Sequence, residues 1–170
     1  MSVFENRMSG YAAYHKHPRN KFTHFFGVPM VYYSPLIALG WVRFEIAGVD
    51  LSFAWVVFAA IMIWYFTMDV TFAAIMTVVS IPIVYLCDSA AKLPFNESLT
   101  IVLAINIVGW AVQLIGHYFE GRRPALVDNL TQSLMAPLFL IAETMFFMGF
   151  RKDLEHTVEQ KVAVHKFPNS

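Results

Sequence analysis

The feature that most constrains this chain is an apolar run from Leu51 to Leu86, in which Asp69 is the only charged residue. A single helix over the whole run would be about 54 Å long, because each residue adds 1.5 Å. The hydrocarbon core of a bilayer is only about 30 Å thick, and about 20 residues cross it. The run therefore predicts two membrane helices joined by a tight hairpin at residues 68–70, with Asp69 as the N-cap of the second helix.

Three further apolar stretches continue the pattern at Phe25–Val42, Leu99–Tyr118 and Leu130–Phe150. Pro29 and Pro35 lie in the first of them, and membrane helices tolerate proline where neighbouring groups satisfy the freed carbonyls. The last stretch could cross the bilayer, re-enter it or lie along the interface, and the sequence does not decide among these. Polar connections are predicted at Asp88–Glu97 and Phe119–Asn129.

The composition supports a membrane protein. Of the 170 residues, 58% are hydrophobic and 14% are charged, and the mean hydropathy is +0.55. A soluble fold of this size buries only about 70% of its surface, so the excess apolar surface must face lipid. We expect an all-α integral membrane helical bundle with four or five apolar helices and short interfacial helices. It would be a single domain, with an interfacial segment at 1–24, the bundle at 25–150 and a charged tail at 151–170.

The charges predict an orientation and exclude one class of partner. Basic residues precede the first span and follow the fourth: Arg7, Lys16, Arg19, Lys21, Arg122 and Arg123. By the positive-inside rule, both regions lie in the cytoplasm, which agrees with an even number of spans between them. The first 21 residues lack the apolar core of a signal peptide, so we expect the mature chain to begin at Met1. A formal net charge of zero argues against nucleic acid as a partner.

Histidines concentrate at these predicted cytoplasmic ends, as His15, His17, His24 and His117. On one continuous helix, His15 and His24 would lie on opposite faces. Pro18 disfavours helix at the preceding residue and suits the first turn of a new helix. The break at His17–Pro18 therefore allows two helices to turn both imidazoles inward. Asn20, four residues before His24, shares its face.

A second cluster lies at the end of the fourth span. Gln113, His117 and Glu120 are spaced so that they share one helix face. Gly116 leaves room for a close neighbour beside His117, and Gly121 can end the helix in a left-handed conformation.

Arg122 and Arg123 follow this cluster, where a fatty carboxylate or a lipid phosphate could be held bidentately. Imidazoles with a nearby carboxylate and no thiolate form a ligand set for non-haem iron, manganese or zinc. Cys87, the single cysteine, permits no intramolecular disulfide and no thiolate metal site.

Other interpretations fit the same residues. A single histidine near a membrane interface is usually a polar anchor, and His156 and His165 in the charged tail are expected to be solvated. Glu143 lies within an apolar stretch, where a carboxylate is costly and normally faces a cavity or a partner. A small membrane transporter could use it with the histidines as a proton relay. A b-type haem protein or a structural protein without metal are further alternatives.

Two motifs together resemble the Mpo1-like family. They are YAAYHKHPRNKFTHFFGVP at residues 11–29 and GWAVQLIGHYFEGRRPALVDNLTQSL at residues 109–134, and the resemblance extends over residues 8–150. It implies an iron(II)-dependent dioxygenase of fatty acid metabolism. Such an enzyme catalyses alpha-oxidation, in which a 2-hydroxy fatty acid and dioxygen give the fatty acid one carbon shorter and carbon dioxide.

The resemblance also implies site residues. His15, His24 and His117 would be the iron ligands. The other matching motif positions are Asn20, Glu120, Arg122, Arg123, Pro124 and Asp128. The substrate's carboxylate and 2-hydroxyl would chelate the metal while Arg122 or Arg123 neutralises the carboxylate. The expected location is a bacterial inner membrane or the endoplasmic reticulum, with the metal site at the cytoplasmic face. The sequence leaves the oligomeric state open, a homo-oligomer included.

Overall fold

The computed structural model describes residues 3–121 and 133–163. Within these ranges the chain forms seven helices and one β-hairpin. The helices are α1 (Val3–Ala13), α2 (Pro18–Leu39), α3 (Phe53–Phe66), α4 (Val70–Ala91), α5 (Phe95–Glu120), α6 (Ala136–Phe147) and α7 (Lys152–Ala163). The hairpin pairs β1 (Arg43–Ile46) with β2 (Val49–Ser52) in antiparallel register. The helical membrane bundle predicted from the sequence is confirmed.

Three helices, α2, α4 and α5, are long and apolar enough to span a membrane. The apolar helices α3 and α6 have 14 and 12 residues, which correspond to about 21 Å and 18 Å. Both are shorter than the hydrocarbon core of about 30 Å. The prediction of four or five apolar helices is therefore confirmed, but only three of those described have the full spanning length. The orientation argued from an even number of spans stays a prediction.

The contacts divide the chain into two compact units. The terminal unit consists of Met1–Phe25 and Gln113–Ser170, and the central unit is Phe26–Val112. Helices α2 and α5 each contribute residues to both units.

In the terminal unit, α1 packs against α6 and α7. The buried side chains include Phe4 and Met8 from α1, Leu138 from α6 and Val158 from α7. At the edge of this packing, Lys161 Nζ donates a hydrogen bond of 2.9 Å to Glu5 Oε2. The segment predicted as a charged tail therefore contains a helix, α7, whose apolar side covers α1.

In the central unit, α3 and α4 form the hairpin that was predicted to divide the long apolar run. Asp69 lies between them in extended conformation. Its Oδ1 accepts hydrogen bonds from the backbone amides of Thr71 at 3.0 Å and Phe72 at 3.1 Å. Because these amides have no partner inside the helix, the side chain supplies one. The predicted role of Asp69 as an N-cap is confirmed.

Two sequence predictions in this unit were wrong. The run predicted as helical from Leu51 begins in strand β2, and α3 starts at Phe53. The polar connection predicted at Asp88–Glu97 is shorter, because α4 continues to Ala91 and α5 begins at Phe95. Asp88 lies in the last turn of α4, and its carboxylate is paired there: Arg43 Nη1 donates to Asp88 Oδ1 at 3.0 Å.

Candidate metal centre

The junction between α1 and α2 carries two of the candidate histidines. Helix α1 ends at Ala13 and α2 begins at Pro18, so the predicted helix break is confirmed. His17 caps α2: its carbonyl accepts from the amide of Lys21 at 3.1 Å, and its Nδ1 accepts from the amide of Arg19 at 3.2 Å. The His17 side chain is therefore hydrogen-bonded to the first turn of α2 and does not join the other imidazoles.

Glu120, the last residue of α5, holds this junction. Its Oε1 accepts from the Lys16 amide at 3.0 Å, and its Oε2 accepts from the His17 amide at 2.8 Å and from Asn20 Nδ2 at 3.0 Å. A carboxylate is stabilised at a helix N-terminus, where free amides carry partial positive charge. Both oxygens of Glu120 thus position the start of α2.

His15, His24 and His117 lie together in the terminal unit. They are exposed by only 1%, 2% and 5%, and each can offer a ring nitrogen within 4.8 Å of the others. The ring centroids are 4.6 Å apart for His15 and His24, 5.4 Å for His15 and His117, and 4.9 Å for His24 and His117. The three imidazoles converge on one buried point.

Backbone carbonyls orient two of these rings. Nδ1 of His15 lies 2.8 Å from the Tyr11 carbonyl, and Nδ1 of His24 lies 2.9 Å from the Asn20 carbonyl. A carbonyl only accepts, so Nδ1 carries the proton and Nε2 keeps its lone pair. Both Nε2 atoms are buried and have no hydrogen-bond partner among the described residues. This is the arrangement of metal-ligating histidines, whose other ring nitrogen donates to a fixed acceptor.

Burial also keeps His15 in its metal-binding form. Desolvation lowers the pKa of His15 well below its ordinary value of 6.5, and the nearby His24 lowers it further. The Tyr11 ring stacks on the His15 ring with centroids 4.0 Å apart. A neutral imidazole, packed on an aromatic ring, is therefore the stable form of His15 near neutral pH.

Gly116 provides the space for this convergence. A Cβ placed on Gly116 would lie 2.5 Å from Asn20 Oδ1 and 3.2 Å from His24 Nδ1. The close neighbour that the sequence predicted for Gly116 is therefore present, and it belongs to α2. Gly121 ends α5 with a φ of 69°, the left-handed conformation that was predicted.

The donor set fits a metal ion. Two nitrogens bound to one ion lie at most about 4.2 Å apart, since each metal–nitrogen bond is about 2.1 Å, so small side-chain rotations would bring all three within reach. Imidazole nitrogens suit iron, zinc and similar transition metals. Among the described residues, these three histidines are the only such group of histidine, cysteine, aspartate or glutamate side chains.

The other predicted site residues have different positions. Asn20 is fully buried and bonded to Glu120. Arg122 and Arg123, with Pro124 and Asp128, lie outside the described residues. Glu143 in α6 accepts a hydrogen bond of 2.7 Å from Lys21 Nζ, a pairing that the sequence analysis missed. Tyr11 was not predicted either, although its position four residues before His15 could have indicated that the two side chains are neighbours on a helix.

The comparisons with known proteins agree on one family. The family model described as "2-hydroxy-palmitic acid dioxygenase Mpo1-like" matches residues 1–148. The chain is also similar to the 2-hydroxy-palmitic acid dioxygenase MPO1 of Saccharomyces cerevisiae, with 30% identity over 162 residues that cover 94% of this chain and 89% of the yeast protein. No solved structure matches the chain.

Proposed function

Since this chain belongs to the Mpo1-like family, we propose that it is an iron(II)-dependent dioxygenase acting on 2-hydroxy fatty acids. The observation that carries the proposal is the convergence of His15, His24 and His117 in a buried site. The reaction would be alpha-oxidation: a 2-hydroxy fatty acid and dioxygen give the fatty acid one carbon shorter, carbon dioxide and water. Atoms balance in this equation without an organic cofactor.

The chain's residues would hold and shape the site. Nε2 of His15 and Nε2 of His24, with a ring nitrogen of His117, would hold the iron. When bound, ferrous iron supplies open positions for dioxygen and for a chelating substrate. The carbonyls that accept from Nδ1 of His15 and His24 keep those rings oriented. Glu120 and Asn20 would act as positioning residues through their mutual hydrogen bond.

The charged end of the substrate would be recognised by cationic side chains. The family motif makes Arg122 and Arg123 candidates for this role, since guanidinium groups bind carboxylates bidentately. The central unit contains an apolar cavity of about 370 Å³, whose lining includes Tyr33, Ile37 and Leu86. Taken by itself, a cavity of this size and character can hold a hydrocarbon ligand.

A membrane location follows from the same properties. Helices α2, α4 and α5 could span a bilayer, and a fatty acid partitions into that phase. We propose an integral protein of a bacterial inner membrane or of the endoplasmic reticulum, with the metal site at the cytoplasmic face. The basic residues near both site-bearing segments support that orientation.

Metal analysis of the purified protein tests the proposal. We expect about one iron per chain in wild type after anaerobic ferrous reconstitution, and loss of that iron in His24→Ala and His117→Ala. His156→Ala is the matched control, because His156 is exposed on α7. Wild type and the control should consume oxygen when 2-hydroxypalmitate is added, and the two site variants should not.

Two results would contradict the proposal. If wild type binds no iron, the histidines have a structural role or form the proton relay of a transporter. If iron-loaded wild type consumes no oxygen with 2-hydroxy acids of several chain lengths, the metal site stands but the proposed reaction is rejected.

A further inference from the structure

The terminal unit contains a second feature beside the histidines. A polar cavity of about 260 Å³ has His15 in its wall, together with Lys16, Lys21 and Glu143. Glu155 and Glu159 of α7 complete its charged lining. One of the three candidate ligands therefore borders a space that can hold a small polar group.

Lys21 is fixed within this lining. It lies three residues before His24 on α2, and its Nζ donates a hydrogen bond of 2.7 Å to Glu143 Oε2. The side chains of Lys21 and Glu143 are 35% and 24% exposed. The Lys21 ammonium also lies 5.8 Å from the centroid of the Phe139 ring, and this ring is 6.1 Å from the His15 ring. Lys21 thus holds a positive charge beside the histidine cluster.

The ammonium of Lys21 has unused bonding capacity. A lysine ammonium carries three N–H donors, and Glu143 is its one hydrogen-bonded acceptor among the described residues. A second carboxylate could therefore bind Lys21 without breaking the first pair. The three glutamates in the cavity wall outnumber its two lysines, so an entering anion would need a direct bond to a cation to offset their repulsion.

We propose that Lys21 binds the carboxylate of the 2-hydroxy fatty acid and that the charge of Glu143 limits the affinity. This inference rests on the proposed function for the identity of the ligand. Lys16 is exposed, which leaves Lys21 as the partly buried lysine among the described residues that line this cavity. Lys21 would thereby discriminate a 2-hydroxy acid from an uncharged lipid of the same length.

Ligand binding by the full-length, metal-free protein tests the inference. Titration calorimetry in detergent would compare 2-hydroxydodecanoate with 1,2-dodecanediol, which replaces the carboxylate by an alcohol. Wild type should prefer the acid. Lys21→Met should weaken acid binding about 10- to 100-fold, the range for one hydrogen bond to a charged group, and leave diol binding unchanged. Lys21→Arg should retain most of the preference.

Two further variants separate a direct bond from general electrostatics. Lys152→Met removes one positive charge from the neighbouring helix α7, where Lys152 pairs with Glu155, and it should bind the acid like wild type. Glu143→Gln removes the like charge and should tighten acid binding by roughly several-fold. A misfolded variant would lose both ligands, so the diol reports on folding.

The outcomes distinguish this inference from the proposed function. Unchanged acid preference in Lys21→Met, or an equal loss in Lys152→Met, would overturn the role of Lys21. Loss of acid preference only in Arg122→Met or Arg123→Met would assign the carboxylate to those residues instead. If iron or oxygen consumption is absent while the acid preference still depends on Lys21, the fatty carboxylate site stands and the dioxygenase reaction fails.

Discussion

The backbone amide of His17 donates a hydrogen bond of 2.8 Å to Oε2 of Glu120, a residue 103 positions later in the chain. The same oxygen accepts from Asn20 Nδ2 at 3.0 Å. One carboxylate therefore joins the end of α5 to the start of α2. Because His117 lies one turn before Glu120 and His24 lies one turn after Asn20, this joint fixes the separation of two of the candidate ligands.

Glu120→Gln should weaken the candidate metal centre although its three histidines remain. The amide can accept at only one of its two terminal atoms, so at least one donor around it loses its partner. We expect a loss of about 1–3 kcal/mol in unfolding free energy and about 10- to 100-fold in metal affinity. Thermal denaturation and a metal titration would measure the two effects. Glu97→Gln, at an exposed glutamate of α5, should change neither.

Metal binding should stabilise the folded protein through His15. A ligand at 100 times its dissociation constant adds about 2.7 kcal/mol, which corresponds to a rise of about 5–10 °C in Tm for a chain of this size. Ferrous iron should produce this rise in wild type and in His156→Gln but not in His15→Gln, measured anaerobically in detergent. A similar rise in His15→Gln would remove this residue from the ligand set.

Gly116→Ala should disrupt the centre by steric overlap alone. The added Cβ would lie 2.5 Å from Asn20 Oδ1, so α2 or its side chains must shift. We expect a destabilisation of about 1–3 kcal/mol together with a loss of metal affinity, checked by thermal denaturation and metal analysis. Leu114→Ala, at an exposed position of the same helix, is the comparison. Wild-type metal content in Gly116→Ala would show that the contact is not needed for binding.

Arg43→Met should loosen the β-hairpin from α4 in the central unit. Arg43 bonds Asp50 through Nη2 at 2.6 Å and Asp88 through Nη1 at 3.0 Å. Without the Arg43 guanidinium, the largely buried Asp88 carboxylate keeps its ion pair with Lys92, whose Nζ lies 3.5 Å from Asp88 Oδ2. We expect a loss of about 1–3 kcal/mol, with faster proteolysis in the hairpin. Glu45→Gln, an exposed change in the same hairpin, should be silent in both measurements.

Local signals in the sequence predicted the helix boundaries best. Pro18 marked the start of α2 because it fixes φ and needs no amide partner. Asp69 marked the start of α4 because its side chain accepts from free amides. In contrast, uniform apolar composition carries no information on where a helix begins, so α3 was predicted to start at Leu51, two residues before its first helical residue, Phe53.

Contacts between distant residues were harder to predict. The β-hairpin resembles a polar loop in sequence, because Arg43, Glu45 and Asp50 interrupt its apolar residues. Its turn contains Ala47 with a φ of 50°, which the residue type does not favour. The bond between Lys21 and Glu143 joins residues 122 apart and has no local signature.

The candidate site was predicted by two routes of different strength. Helix spacing placed His117 and Glu120 on one face, and both the predicted membrane topology and the family resemblance joined His117 to His15 and His24. The structure brings the three histidines together. Their role as iron ligands and the roles of Arg122 and Arg123 stay predictions, because a ligand set is a chemical property that only binding or activity measurements test.

The bond between His17 and Glu120 also orders events during biosynthesis. A ribosome completes residue 17 long before residue 120, so the amides at the start of α2 meet their acceptor only after the long helices have been translated. His15 and His24 emerge early and cannot form the three-histidine centre until His117 follows. An ion held by all three histidines would therefore bind only after His117 has been translated.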